Sequence, residues 1–464
     1  MFKLNMFIFT LLASSVLHAE PAKDPWHAKA RDIFAHSISI PTVAGRNKVP
    51  ELAAYLADQY RAAGIPDADI HIIPYNDTAA LIVRWRAAGN SNKKPIMVMG
   101  HMDVVEAKRE DWSRDPFTLV EKDDYYYGRG TEDIKEGLTA TTVAIMKLKA
   151  EGFKPNRDII VFYTGDEETT GVGAKKGASE WKKYLDAEYG LNADGGGGGI
   201  FAVDGHSLGF KIQTAEKTYS DFTFTVRNRG GHASKPRPDN AIYELAGALK
   251  KLEAYRFKPT LNDTTRAYFT EREKTESGSL GQAMRAWLKN PADDKAADMI
   301  EADPGETGLT RTRCVATRLT GGHANNALPQ LAAATINCRI MPGVSPDVIK
   351  AELEAIVANP AVVVTRNGKE VSSLASPLRQ DVLDAYTMSV HTRFPQAPII
   401  PEMSTGASDA RPFREAGMPV YGVDGSWGVM PDDLRAHGRD ERIPVQSLDD
   451  NVDHWVRMLT TLTG

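Results

Sequence analysis

Short apolar runs, each too brief for a helix, alternate along the first half of the chain with longer segments of helical period. Pro95 to Gly100 leads into a polar loop, Ile134 to Ala150 repeats apolar residues at helical spacing, and Ile159 to Tyr163 is a β-branched and aromatic run ending in another loop. A third buried strand is expected to end near Asn192 and a fourth to cover Pro419 to Val423. Strands that are apolar at every position are buried on both faces, so the pattern predicts an α/β fold around a largely parallel sheet. Ahead of it, Trp26 to Ile38 and Val49 to Ala63 read as helices, and Asp69 to Pro74 and Ala79 to Trp85 as strands.

From Lys217 to Gly368 the order changes. Strand Asp221 to Val226, helix Asn240 to Ala254, strands Val315 to Thr320 and Ala332 to Met341, helix Pro346 to Val357 and strand Val362 to Arg366 give β-α-β-β-α-β. This suggests a ferredoxin-like α+β domain inserted into the larger one, interrupted by a helical excursion from about Pro259 to Thr310 that carries no readable motif. The expected division is residues 20–216 with 369–464 as one domain and 217–368 as the other, with Lys369 to Pro377 as the return linker. A length of 464 residues suits two domains.

Residues 1–19 place Lys3 ahead of an apolar run, Met6 to Leu17, too short to span a bilayer, with the small Ala19 after it. They read as a secretory signal cleaved after Ala19, giving an exported protein, periplasmic or secreted, with no membrane attachment once the signal is removed. A net charge of −5 without basic blocks argues against nucleic acid as a partner. With Cys314 and Cys338 as the only cysteines, any metal must be held by His, Asp and Glu. The two cysteines flank a turn at Asn325 and Asn326 that can set them opposite one another; a disulfide fits an exported protein, and two free thiols are the default expectation.

Candidate ligands follow the apolar runs, where an open α/β sheet gathers its site. GHMDVV has His101, with Asp103 placed to orient the imidazole; GRGTEDIKEG has Asp133; TGDEETTG crowds Asp166, Glu167 and Glu168; LNADGGGGG has Asp194; LRAHGRDERIP has His437, with Glu441 four residues on. Singly, each has a plain reading as a satisfied histidine, a helix cap or a solvated acidic turn. Together His101, Asp133, Glu168, Asp194 and His437 supply two imidazoles and three carboxylates, a set suited to two borderline cations such as Zn2+ sharing one carboxylate. Glu167 is left over to carry a proton.

These segments, with GGHAS, NNALP, NCRIMPG and STGASDARPF, resemble in order and spacing the dinuclear zinc peptidases that include glutamate carboxypeptidase, aminoacylase, succinyl-diaminopimelate desuccinylase, carnosinase and tripeptide aminopeptidase. The resemblance implies a zinc-peptidase catalytic domain with a lid and dimerisation domain inserted. It implies two Zn2+, with Co2+ or Mn2+ as substitutes, one on His101 and Asp194, the other on Glu168 and His437, bridged by Asp133. Asp103 would orient His101 and Glu167 would be the general base. His232 would reach a neighbouring subunit's site in a homodimer to steady the oxyanion, Asn326 and Arg339 would grip a substrate carboxylate, and Gly406 and Ser408 would line the cleft. Glu136 stands where the family commonly has glycine, and Ala407 and Ser408 where it has glycine and threonine. Lys135, Arg129 and Arg411 read as charge-tuning, salt-bridge or helix-end residues, and His323 as a surface histidine.

Aspartate at position 194 resembles the aminopeptidase and dipeptidase members, so the expected activity is hydrolysis of di- or oligopeptides. An N-acyl-amino-acid hydrolase or carboxypeptidase of the same family is the alternative, and a non-catalytic binding module of the fold is the reading from another class.

Overall fold

The computed structural model describes residues 24–89, 91–368 and 372–464, so the signal read at residues 1–19 lies outside the described residues. An eight-stranded sheet runs in the order Ile70–Tyr75, Thr78–Trp85, Ile159–Thr164, Ile96–His101, Tyr189–Phe201, Val420–Met430, Ser207–Glu216, Ile399–Ser404. The middle four strands are mutually parallel, as are the last two, while the Ile70 and Thr78 strands and the Ser207 to Val420 junction are antiparallel. Successive residues face opposite layers. Leu81, Val83, Val98 and Val161 pack beneath helices Pro25–Ser39, Val49–Ala62, Lys135–Ala150 and Val445–Thr463, while Ala80, Ile82, Met97, Met99, Ile160 and Phe162 pack with Trp181 and Phe413 on the other face. Two buried faces explain strands without a polar register.

The fold departs from the sequence expectations in several places. The strand expected to end near Asn192 continues through Gly195 to Gly199 as far as Phe201, because the bare backbone lies against neighbours too close for side chains: a Cβ on Gly198 would sit 2.6 Å from the Phe210 ring. Strands Ser207–Glu216 and Ile399–Ser404 and helices Gln380–His391 and Val445–Thr463 were not anticipated. Of the return segment, Ser372 to Pro377 is pinned rather than loose: the Ser376 N–H donates to the Thr214 carbonyl at 2.8 Å, and the Ser376 hydroxyl donates to the Val420 carbonyl at 2.9 Å.

A second sheet, ordered Arg313–Gly321, Leu331–Ile340, Thr218–Arg227, Val362–Arg366, is antiparallel throughout and has its own core of Phe222, Phe224, Ile336, Leu245, Ile349 and Leu353 beneath helices Ala241–Ala254 and Pro346–Val357. That order is the ferredoxin-like one the β-α-β-β-α-β reading expected. The excursion forms helices Asp263–Thr275, Gly278–Lys289 and Asp294–Glu301, which close over Phe269, Trp287 and Ile300 and pack on Met341, Ile400 and Met403. Cys314 and Cys338 face each other in register with Cα atoms 4.1 Å apart and are disulfide-bonded, so the default of free thiols is corrected. No helix among the described residues is long and apolar enough to cross a membrane.

Candidate metal centre

Three neighbouring parallel strands bring distant residues together. His101 ends the central one, Glu167 and Glu168 follow the strand on one side, and Asp194 sits in the strand on the other. A small sheet of Val120–Lys122, Tyr125–Tyr127 and Arg442–Pro444 supplies the rest, because its last two strands carry the Gly128–Asp133 loop and the His437 loop side by side.

The buried His101 imidazole has Nε2 3.1 Å from Asp133 Oδ1 and 3.9 Å from Asp194 Oδ2. His437 Nε2 is 3.0 Å from both Asp133 Oδ2 and Glu168 Oε1. Asp133 thus belongs to two clusters, His101–Asp133–Asp194 and Asp133–Glu168–His437, and within each the ligand atoms lie within 4.8 Å of one another. Burial would pull His101 down, but Asp103, Asp133 and Asp194 hold it well above the usual imidazole range. Hydrogen bonds to Asp133 and Glu168 push His437 up to about 10. Burial pushes Glu167 up, with Asp194, Asp409 and Glu168 adding to the effect against His101. Two imidazoles and four carboxylates share a pocket that is open to solvent at His437, and crowding and burial hold Glu167 and Asp194 above the usual carboxylate range; the nitrogen and oxygen donors suit a pair of divalent cations with Asp133 common to both. The Glu167 carboxylate makes no side-chain hydrogen bond among the described residues, so it is free to receive a proton.

The other expected site residues are placed as follows. Asp103 meets the second nitrogen of His101: its backbone carbonyl lies 3.0 Å from Nδ1 and its carboxylate 3.6 Å from it, while that carboxylate also accepts the backbone N–H groups of Glu167 and Glu168, each at 3.1 Å. Asp166 leaves the cluster altogether; it accepts from the Tyr75 hydroxyl at 2.6 Å and from the N–H groups of Val172 and Gly173 at 2.7 and 2.9 Å, tying down the helix that follows. Ser408 donates to Glu216 at 2.8 Å, and the Gly406 N–H to Ser404 Oγ at 3.0 Å. Ser408 borders a cavity of about 530 Å3 that Asp133, Asp194, Gly195 to Gly199 and Trp427 also line. Arg339 donates to the Thr405 carbonyl at 3.4 Å, at the start of the same loop.

His232 and Asn326 come together across the short pairing of Gly231–His232 with Ala327–Leu328, and both are exposed; no hydrogen bond or ion pair among the described residues joins them to the two clusters. His232 Nδ1 accepts the Ser234 N–H at 3.1 Å, which leaves Nε2 of this exposed ring as the nitrogen able to donate. His323 is exposed, as expected. Lys135 is buried and donates to the carbonyls of Ser37 and Ile40 at 2.8 and 2.7 Å.

Sequence reasoning missed the joint that holds the two ligand loops together. Glu441, fully buried, pairs with Arg129 and accepts N–H groups from Gly130, Glu132 and Asp133 at 3.1, 2.7 and 3.0 Å, while Arg129 also donates to the carbonyls of His437 and Gly438 at 3.1 and 3.0 Å. The four-residue spacing from His437 to Glu441 was the visible trace. Asp409, bonded by the Thr164 hydroxyl and pushed up to about 7 by burial, is a second buried acid beside the cluster.

The profile of peptidase family M20/M25/M40 matches residues 97–461. The chain belongs to this family. As a member it is a hydrolase of the metal-dependent peptidase and amidohydrolase class. The chain is similar to a probable carboxypeptidase S-like 2 of Dictyostelium discoideum, 27% identical over 402 residues covering 82% of this chain and 74% of that one. It is also similar to the human N-fatty-acyl-amino acid synthase/hydrolase PM20D1, 28% identical over 375 residues covering 77% and 72%. Among solved structures, the M20 metallo-carboxypeptidase Sso-CP2 of Sulfolobus solfataricus shares the fold at a TM-score of 0.69 and 18% identity, covering 93% of this chain and 98% of that one.

Proposed function

We propose that this M20 chain is an exported dinuclear-zinc peptidase that hydrolyses the amide bonds of di- or oligopeptides, and that residues 217–368 are its lid and dimerisation domain. The observation that carries the reading is the pair of histidine and carboxylate clusters sharing Asp133, with the unbonded Glu167 beside them. His101 and Asp194 would hold one Zn2+ and Glu168 and His437 the other; when bound, such a pair activates a water and polarises an amide carbonyl. Glu167 takes the proton of the attacking water and delivers it to the departing nitrogen. The Nε2–H of His232 offsets the charge developing on the carbonyl oxygen, supplied across a homodimer, and Asn326 and Arg339 hold the carboxylate of the leaving half.

Dimer formation is supported by the edge strand Arg313–Gly321, where Val315 is 59% and Leu319 67% exposed, next to Tyr243 at 72% on helix Ala241–Ala254. Export is supported by the signal read at residues 1–19 and by the disulfide. The likeness to N-fatty-acyl-amino acid synthase/hydrolase favours a second reading, an N-acyl-amino-acid hydrolase. One panel of free and N-acetylated dipeptides, assayed before and after chelation and zinc return, tests both. Zinc-restored cleavage of the free dipeptides is expected; cleavage of the acetylated ones alone replaces the first reading by the second, and activity that survives chelation overturns the metal assignment.

A further inference from the structure

The second notable cavity, about 650 Å3, opens where the helical excursion and helix Ala241–Ala254 meet the start of strand Arg313–Gly321, and Lys217, Arg311, Arg313 and Arg339 line it. Arg313 and Arg339 stand directly opposite each other in register, a like-charged cross-strand pair that is unfavourable when nothing lies between its members. Lys217 is fully buried, and its ammonium donates to the Arg311 carbonyl at 2.6 Å with no carboxylate at ion-pair distance among the described residues. Glu301 is the carboxylate that reaches this group, 3.4 Å from Arg313, but its oxygens already accept the N–H groups of Gly308 and Thr310 at 2.9 and 3.0 Å and the Thr310 hydroxyl at 2.6 Å.

Among the described residues, the committed Glu301 is thus the one carboxylate at ion-pair distance of Lys217, Arg313 or Arg339; Arg313 is half-exposed, but Lys217 is buried, and a buried charge needs a partner. The space for that partner is the cavity itself, a notch that Gly308 and Thr405 line together with Lys217, Arg313 and Arg339. Thr405 opens the loop that carries Gly406 and Ser408, and its carbonyl accepts from Arg339.

We infer that Lys217 and Arg313 form a subsite for a second anionic group, so that the residue leaving on hydrolysis is a dicarboxylic one: Arg339 takes its α-carboxylate and the notch under Gly308 takes its side-chain carboxylate. The inference rests on the proposed role of Arg339. Burial pushes Lys217 down to about 7, with Arg313 and Arg339 pushing the same way and Glu301 opposing them. Its charge, and with it the subsite, is present below that value and is lost as pH rises through it.

The test uses the zinc-replete full chain and dipeptides ending in Glu or Gln. The Glu substrate is expected to have kcat/KM higher by about tenfold at about pH 6, the worth of one charge-assisted hydrogen bond, with the ratio collapsing by about pH 8.5. Lys217→Met removes both the preference and its pH dependence. Arg313→Gln, at a half-exposed position, weakens the preference and serves if the Lys217 variant does not fold. A Glu to Gln ratio near one, or a ratio that survives in both variants, overturns the inference. Calorimetric titration of the chelated chain with glutarate against butyrate reads the notch without turnover: tighter glutarate binding that Arg313→Gln weakens is expected, and equal binding overturns it. Glutarate binding without a Glu preference marks a site for free anions and overturns the substrate assignment. If no peptide is cleaved at all, the proposed function fails while the titration still reports on the subsite.

Discussion

Glu167 and Glu441 are acids close in the fold to the same ligands, and the structure gives them opposite duties. Glu167 has a free carboxylate, so Glu167→Gln should leave metal content unchanged while kcat falls by about a thousandfold, read by elemental analysis beside turnover. Glu441 has no free valence: it balances Arg129 and grips the backbone of Asp133. Glu441→Ala strands a buried guanidinium, so it should cost about 3–5 kcal/mol in urea unfolding and weaken metal binding about 10–100-fold in a chelator competition. The first of these residues was legible because three consecutive acids after a strand need a reason. The second was not, because its partners lie on a loop some three hundred residues earlier, and only the small Tyr125–Tyr127 and Arg442–Pro444 pairing joins them. Asp103 shows the same limit: spacing placed it beside His101, but could not say whether carbonyl or carboxylate would meet the ring.

At the scale of elements, the fully apolar strands and the amphipathic helices announced themselves, whereas Ser207–Glu216 and Ile399–Ser404 did not. Both lie toward the open edge of the large sheet, where Lys211 and Glu402 pair at 2.6 Å on exposed faces and break the apolar pattern. The β-α-β-β-α-β order of the second sheet was readable because Thr218–Arg227, Leu331–Ile340 and Val362–Arg366 alternate between a helix-covered face and an open one, while the edge strand Arg313–Gly321 is exposed almost throughout. The same register decides the cysteines, since the pairing that sets Arg313 against Arg339 sets Cys314 against Cys338. Closing a loop with a sequence separation of 24 is worth about 3 kcal/mol, so Cys314→Ser with Cys338→Ser should lower unfolding stability by that amount, and reductant should lower the native protein to match.

For the whole molecule, an unpaired strand edge flanked by exposed apolar side chains is a surface that solvent does not favour. If the proposed homodimer forms through this edge, Leu319→Lys together with Val315→Lys should convert it into a monomer in sedimentation analysis. Activity should fall with the dimer, because His232 in a single chain is tied to neither ligand cluster. Retained activity in a monomer would remove His232 from the mechanism. The Gly195 to Gly199 run carries a different consequence. Neighbours close on it tightly: an added methyl would meet the Asp424 amide nitrogen at 2.8 Å at Gly196 and the Phe210 ring at 2.6 Å at Gly198. A stretch without a single reactive atom thereby has as little room for a side chain as a ligand position has for a different one, and replacing Gly196 by alanine should disturb the strand that presents Asp194.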